Sequence, residues 1–364
     1  MKNVPQGLNA GSFVESARRK FFYSVPSTIL SVVLGIFVCY IFYALIQWGV
    51  TNAVWNPDLK ACRATSGACW GFVAEKWRLI LFGRFPYEEQ WRPVIGTFAI
   101  LAALAATAVP FFWKRPRSYV LLASWIIALA CFFTLMYGGV AGLKPVGTDL
   151  WGGLPLTVIV TLIGMGLSSP IGILLAIGRR SKLPVVSFLS TAYIELVRGV
   201  PLITVLFVAT FIFPLLLPQW LQIDAFWRVT LAIVLFQAAY MAETVRGGLQ
   251  TVPTGQFNAA ASLGLSIPQS YFHVILPQAL VAIIPAFVNS LISCFLDTSL
   301  VTIVSMYDLT GSLRLALGDA QWRAFFIEGY VFIALIYFFS SFAVSRYSQW
   351  LERRIKGNKR RNLH

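Results

Sequence analysis

The sequence predicts an all-α, polytopic membrane protein with about eight transmembrane helices, and three observations carry that expectation. Hydrophobic residues make up 58% of the 364 and charged residues only 12%, whereas soluble domains run nearer ~45–50% apolar and ~25% charged. Runs of the ~20 apolar residues needed to cross a ~30 Å hydrocarbon core recur along the chain. The charges fall between those runs, so the net +15 does not gather on one face as in a nucleic-acid binder. An ordinary cytosolic enzyme and a disordered tail are excluded, and lipid is the implied solvent. Five cysteines and two histidines, His273 and His364, are too few and too scattered for a zinc or haem motif, so no metal site is expected.

The first span, 28–48, carries no charge. It follows Arg18-Arg19-Lys20 and mimics a signal peptide, but it is too long for an h-region and lacks a following A-x-A site. It is expected to stay as an anchor. The second and third spans are 94–113 and 119–137, and the fourth is 152–178. The fifth is 201–217, extended backwards by 187–200; the sixth, seventh and eighth are 225–246, 279–304 and 325–344. This gives an N-terminal three-helix region, 1–150, with an exported loop at 49–93. A five-span region, 151–350, carries a cytoplasmic segment at 247–280, and 351–364 forms a basic tail.

Lys and Arg placement sets the orientation. One side holds Lys2, Arg18, Arg19 and Lys20, then Lys114, Arg115 and Arg117, then Arg179, Arg180 and Lys182. The tail adds Arg353, Arg354, Lys356, Lys359, Arg360 and Arg361. The short loops opposite offer only Lys144, Arg228, Arg314 and Arg323. The 49–93 loop holds six basic residues, but also Asp58, Glu75, Glu88 and Glu89, and its length and Trp/Cys content suggest a small ordered cap. Both termini are therefore expected in the cytoplasm. Cys62 and Cys69 then lie outside, where an oxidising compartment permits a disulfide; two separate thiols are the alternative. Cys39, Cys131 and Cys294 fall in spans and read as packing residues.

The 247–280 segment has no Asp, Glu, Lys or Arg, yet Gly and Pro punctuate it as two short helices rather than a span. Thr254 is a candidate N-cap, Gly264 a stop, and Ser266 with Gln269 a capping box. Alanines on the surface would let another protein approach closely.

The pattern E-A-A-x3-G-x9-I-x-L-P marks the cytoplasmic coupling loop of ABC-importer permeases, and this segment resembles it. It reads Asn258-Ala259-Ala260, then Gly264, then Val274-Ile275-Leu276-Pro277, with the spacing intact. The runs YIELVRGVPL (193–202), AYMAETVRGG (239–248), VPTGQ (252–256) and DTSL (297–300) resemble the polar-amino-acid branch of that family. In the outer loop, SGACW (66–70) and RFP (84–86) are similar to the longer M-type permease subunit of general L-amino-acid importers. The resemblance implies a type I ABC permease core in the last five spans. It also implies an ATPase-coupling loop using Gly255, Asn258, Ala259, Ala260, Gly264, Leu276 and Pro277. The implied partners are a second, non-identical permease, an ABC ATPase dimer and a periplasmic amino-acid-binding protein, in a bacterial inner membrane. As in a transport subunit, no catalytic residue and no cofactor is implied in this chain, ATP and Mg belonging to the partner ATPase; the chain itself has no G-x-x-x-x-G-K-[ST] loop. Two departures stand out: Asn258 replaces the motif's Glu, and Leu296 stands where the family usually has Lys before Asp297.

Charged groups inside spans are functional candidates because they cost roughly 2.5–3.5 kcal/mol to insert. Glu195 with Arg198, and Glu243 with Arg246, sit three apart on one helix face and can form ion pairs. They either close the inner end of the bundle or act as a gate or partner contact. Asp297 has no basic residue within a turn; with Thr298, Ser299 and Asn289 it is a candidate for the substrate path, or else makes a helix–helix hydrogen bond. Glu328, near the outer end of the eighth span, reads as interfacial. Gly164, Gly166, Pro170 and Gly172 in the fourth span serve either packing or a hinge, and Trp48, Trp113, Tyr137, Trp151 and Trp350 fit an interfacial belt. The rival functional class is an ion-coupled secondary carrier, and a third is a non-transporting scaffold or receptor. The first three spans show no likeness to the last five, against the repeats such carriers often have.

Overall fold

The apolar runs fold as helices because, in lipid, each backbone N–H and C=O must be satisfied within its own segment. The structure, a computed structural model, describes residues 21–113, 117–218, 220 and 222–361, the side chains of Pro110 and 355–361 excepted. Lys2, Arg18, Arg19, Lys20, Lys114 and Arg115, used above for orientation, lie outside the described residues, as does His364. Seven described helices are long and apolar enough to cross a membrane, or eight spans when one sharply bent pair is counted as a span. The chain divides into two units, Met1–Glu75 and Lys76–His364.

In the first unit, α1 (Val25–Ile46) is capped by Ser24, whose Oγ accepts from the Ser27 N–H at 3.4 Å. It is apolar on all sides and none of its residues is buried. A short α2 (Leu59–Ala64) is capped by Asp58, which accepts from the Lys60 N–H at 2.9 Å. Cys62 and Cys69 are joined in a disulfide, their Cα atoms 5.2 Å apart. Trp70 stacks on Trp55 at 6.0 Å, meets Trp48 edge-on at 6.3 Å, and donates its indole N–H to the Gly49 carbonyl at 2.8 Å.

Beyond α3 (Gly71–Phe82), the second unit pairs α4 (Trp91–Ala108) with α5 (Ser118–Tyr137). Arg92 is fully buried at the start of α4. It donates from Nε to the Leu135 carbonyl at 2.5 Å and from Nη1 to the Lys144 carbonyl at 2.9 Å, with Glu89 3.6 Å away. Gly138, φ +68°, turns the chain there, since a Cβ would run into the Lys144 carbonyl and the guanidinium. Trp151, expected in an interfacial belt, is instead 1% exposed, because Tyr137 (4.7 Å) and Phe226 (5.1 Å) close over it edge-on.

The core is built on α6 (Gly153–Arg179) and α9 (Ala225–Thr251), which pack along their lengths. α6 runs on through Pro170. A Cβ on Gly172 would lie 2.6 Å from Met241 Cβ, and one on Gly164 3.0 Å from Ile233 Cγ2, whereas Gly166 faces open space. Two of the three glycines thus permit close approach of α9. The fifth span is a broken one: α7 (Pro184–Arg198) and α8 (Leu202–Leu216) bend by 102° at Gly199–Pro201. Pro201 has no N–H to continue the helical ladder and its ring opposes the preceding turn.

After α9 come α10 (Thr254–Ser262) and α11 (Ile267–Ser270), then α12 (Leu276–Ala282) and α13 (Ile284–Asp297). Asp308 caps α14 (Leu309–Ala316), accepting from the Gly311 N–H at 2.9 Å, Thr302 Oγ1 at 2.8 Å and the Tyr337 hydroxyl at 3.1 Å. Burial holds its carboxyl above the ordinary range, and those hydrogen bonds pull it partly back. The last helix, α15 (Phe326–Arg361), has 36 residues, or ~54 Å at ~1.5 Å each, well beyond a ~30 Å hydrocarbon core. Glu328 near its start is 5% exposed.

Candidate functional site

The uncharged segment leaves α9 at Val252-Pro253 and folds as the two short helices its punctuation predicts. Pro253, not Thr254, occupies the cap position, and Thr254 is the first helical residue. Gly264 stops α10 in the left-handed region at φ +72°, a conformation that penalises a Cβ. The Gln269 side chain accepts from the Ser266 N–H at 2.9 Å and starts α11. Ala260 and Ile275 are buried at 2% and 0%, and Leu276 is buried beside them. Phe257 meets Tyr271, just past α11, edge-on at 6.1 Å, and Gln278 Nε2 of α12 donates to Gln256 Oε1 at 3.1 Å, so α10 is braced against the chain that follows α11 and against α12. Gly255, Asn258, Ala259, Gly264 and Pro277 face outward. Leu263 is 79% exposed, with Ile267 and Phe272 also exposed, so the outward surface carries large apolar side chains among its small and neutral polar ones. The missing charge was visible in the sequence; which apolar residues stand outside was not.

A second constellation gathers where α6, α7 and α9 end together. Glu243 takes Arg246 Nε of its own helix at 2.8 Å, Arg179 Nη1 at 3.4 Å and Arg198 Nη1 at 3.8 Å. Arg179 also donates to Glu195 at 2.8 Å. The expected Glu195–Arg198 pair is therefore replaced: Glu195 reaches across to Arg179, and Arg198 turns to Glu243, its guanidinium 5.7 Å from the Tyr240 ring. The bend after Arg198 aims α7 at the ends of α6 and α9, which is why partners from other helices displace the neighbour three residues away. In the sequence Arg179 reads only as an orienting charge, in an R-R-x-K turn with no sign of its partners.

Asp297 closes α13 and is half-buried, and Gln237 Nε2 of α9 donates to it at 3.5 Å. The neighbours expected beside it do not all converge. Thr298 is 1% exposed and its hydroxyl turns back to the Phe295 carbonyl at 2.8 Å. Ser299 is half-buried, and Asn289 is exposed about two turns earlier. Gln237, missed in the sequence, is the polar group that meets Asp297 from another helix. No group of three or more His, Cys, Asp or Glu side chains is placed to hold a metal ion among the described residues.

Membrane spans around a closely packed α6–α9 pair, with an uncharged two-helix segment outside them and an ionic cluster at their ends, define a multi-pass transport component. The chain belongs to the family of binding-protein-dependent transport system inner membrane components, whose model matches residues 168–357. It is 41% identical over 352 residues to the inner membrane amino-acid ABC transporter permease protein YhdY of Escherichia coli, covering 96% of this chain and 95% of that protein. It is 32% identical over 420 residues to the glutamate/glutamine/aspartate/asparagine transport system permease protein BztC of Rhodobacter capsulatus, covering 98% and 96%. Among solved structures it is similar to a crystal structure of an amino acid ABC transporter with histidines, at 29% identity and a TM-score of 0.50. That likeness covers 56% of this chain and 92% of the other. The protein is a multi-pass inner-membrane protein, and its family is a transport component rather than an enzyme.

Proposed function

We propose that this chain is a permease subunit of an ATP-binding-cassette importer for polar or general L-amino acids. The observation that carries the reading is the α10–α12 segment: rooted on the core by Ala260, Ile275 and Leu276, it turns outward a surface without Asp, Glu, Lys or Arg that mixes small residues with the apolar Leu263, Ile267 and Phe272. That is the shape of a lever for another protein to push. The partners are a second, non-identical permease, a dimer of separate ATPase subunits that hold ATP and Mg, and a periplasmic binding protein that delivers the amino acid. Both termini lie in the cytoplasm, 1–150 forms an accessory region, 151–350 the permease core and 351–364 a basic tail.

On this reading, closure of the ATPase dimer displaces the 254–276 lever and reorients the helices it is rooted on. The Arg179–Glu195–Arg198–Glu243–Arg246 cluster holds the inner ends of α6, α7 and α9 together between strokes. Asp297, oriented by Gln237, lies on the substrate path and offers a carboxylate to the α-ammonium that every free amino acid carries.

Reconstitution in vesicles with the binding protein, ATPase and second permease tests the proposal. Uptake that requires ATP is expected; uptake driven by an ion gradient without ATP would instead establish the secondary carrier. Within that system Gly264→Val should reduce uptake more than membrane insertion, since it strains a left-handed turn at the surface. Equal losses would reduce the segment to a structural connector.

A further inference from the structure

A cavity of about 250 Å³ lies where α4 meets the core, and four membrane-spanning helices line it. Leu101 and Leu104 come from α4, Val158 and Leu162 from α6, Leu291 from α13 and Val344 from α15. Leu101 and Leu104 are 45% and 38% exposed, so the cavity opens sideways, at the depth of the hydrocarbon, rather than toward either aqueous face. It is separate from the candidate substrate path. Phe295 lines the cavity, whereas Asp297, two residues on, is turned ~200° away around the same helix.

The polarity of the lining decides what fills it. Thr161 contributes a hydroxyl, but that group already donates to the Thr157 carbonyl at 2.7 Å. Ser341 Oγ is buried at the wall without a hydrogen-bond partner, and the half-buried Ser340 adds a second hydroxyl beside it. A buried water needs about 2–4 polar partners, and apolar cavities of ~150 Å³ stay dry and take up hydrocarbon instead. Two adjacent serine hydroxyls at one edge can hold water only beside themselves, and the rest of the space is walled by Leu, Ile, Val and Phe side chains. At this depth the available hydrocarbon is the acyl chain of a phospholipid.

We infer that this crevice is a phospholipid site, one acyl chain lying between α4 and the core as a filler of the joint. The arrangement follows from how α4 is fixed. Its first turn is held by the buried Arg92 clamp, while Leu101 and Leu104, lower on the same helix, face the crevice. A lipid tail supplies there the packing that protein side chains supply around Arg92.

Photolabelling tests this on the full chain in vesicles containing phosphatidylethanolamine with a diazirine on its acyl chain. Adducts are expected on Leu101, Leu104 and Val344 several-fold above those on Phe98 and Leu174, which are 71% and 65% exposed on the outer faces of α4 and α6. The excess should survive exchange into detergent. Ser340→Phe, which fills the crevice from α15, should remove it while leaving Leu174 labelled; if that variant does not fold, the wild-type ratio before and after detergent exchange decides. Labelling that simply follows exposure, or that washes out in detergent, overturns the proposal. So does labelling by a diazirine free fatty acid and not by the phospholipid.

Discussion

Two helices of this chain, α1 and α9, answer opposite demands with similar lengths of hydrophobic sequence. The 27-residue apolar stretch around α1 has none of its residues buried; in that of α9, also 27 residues, 67% of the most apolar 18-residue window is buried. The more hydrophobic of the two is the exposed one, with mean hydropathy 2.7 against 1.5. In water the order would be reversed. In a bilayer, lipid tails solvate Leu and Phe as well as a core does, so burial follows packing and polar contacts rather than apolarity. α9 brings Gln237 to Asp297 and Glu243 to three arginines, and it lies against Gly164 and Gly172 of α6. α1 carries no charged residue and adds no such group.

The rule breaks if an accessory helix is held by hydrophobicity alone, and α4 is the place to try. Arg92→Ala removes a buried guanidinium from two carbonyls and from Glu89. Breaking a buried charge set of this kind costs about 3–5 kcal/mol. Unfolding titrations in mixed micelles should show a loss of that size, larger than any glycine or surface-charge substitution produces. A wild-type midpoint would mean that apolar contacts alone seat α4.

The glycines sharpen the contrast on a finer scale. Gly172→Val places a branched side chain against Met241, and overpacking a close interface costs about 1–3 kcal/mol. Gly166→Val on the same helix and Gly35→Val on α1 meet nothing within 4 Å. Both should leave the unfolding midpoint where it is, although all three are Gly-to-Val changes within apolar helices. A destabilised Gly35→Val protein would show that α1 is packed after all.

These residues also mark how far the sequence could be read. Span number and position were legible because the bilayer fixes a length, and length is a one-dimensional property. The two-helix segment was legible because Gly264, Ser266 and Gln269 act on their own neighbours. What failed was long-range. Glu195 has Arg198 within reach along α7, yet the bend at Gly199–Pro201 brings Arg179 nearer, and the bend angle is not written in the spacing. Trp151 has the composition of an interfacial residue, and only the fold of α5 and α9 around it makes it a core residue. Asp297 looked unpaired because its partner, Gln237, is 60 residues away.

The ionic cluster predicts a smaller effect on stability with a larger one on function. Exposed and half-exposed ion pairs contribute about 0–1 kcal/mol, so Glu243→Gln should barely move the unfolding midpoint. It nevertheless leaves Arg179, Arg198 and Arg246 facing one another with Glu195 as their remaining carboxylate in the cluster. On the proposed coupling to an ATPase, uptake should fall several-fold while ATP hydrolysis by the assembled complex rises, because the ends of α6, α7 and α9 lose the carboxylate that ties them. Exchanging the charges of Arg179 and Glu195 preserves their pair and should keep more activity than Arg179→Glu alone. Equal activities would reduce the cluster to solvated surface charge.

The smallest effect is expected where an outer tie joins α3 to the core. Lys76 Nζ lies 2.9 Å from Asp319 Oδ2, in the turn after α14. The lysine's hydrogen bond holds the Asp319 carboxyl below its ordinary range. A carboxylate with a depressed folded value stabilises the fold above its unfolded value, near ~3.9, and loses that contribution as the pH falls through the lower folded value. Asp308 has the opposite sign, since burial raises it, and its ionisation works against the fold as the pH rises past ~3.9. The acid response of the wild type therefore mixes the two, and Asp319→Asn separates them. Its melting temperature should lie slightly below wild type at pH 7, and the gap should close on acidification below ~3.9 as Asp319 protonates in the wild type as well. Lys76→Met should reproduce both the gap and its closure. A gap that persists in acid would assign the loss to the turn that Asp319 also braces through the Gln321 N–H at 3.0 Å, and not to the tie with α3.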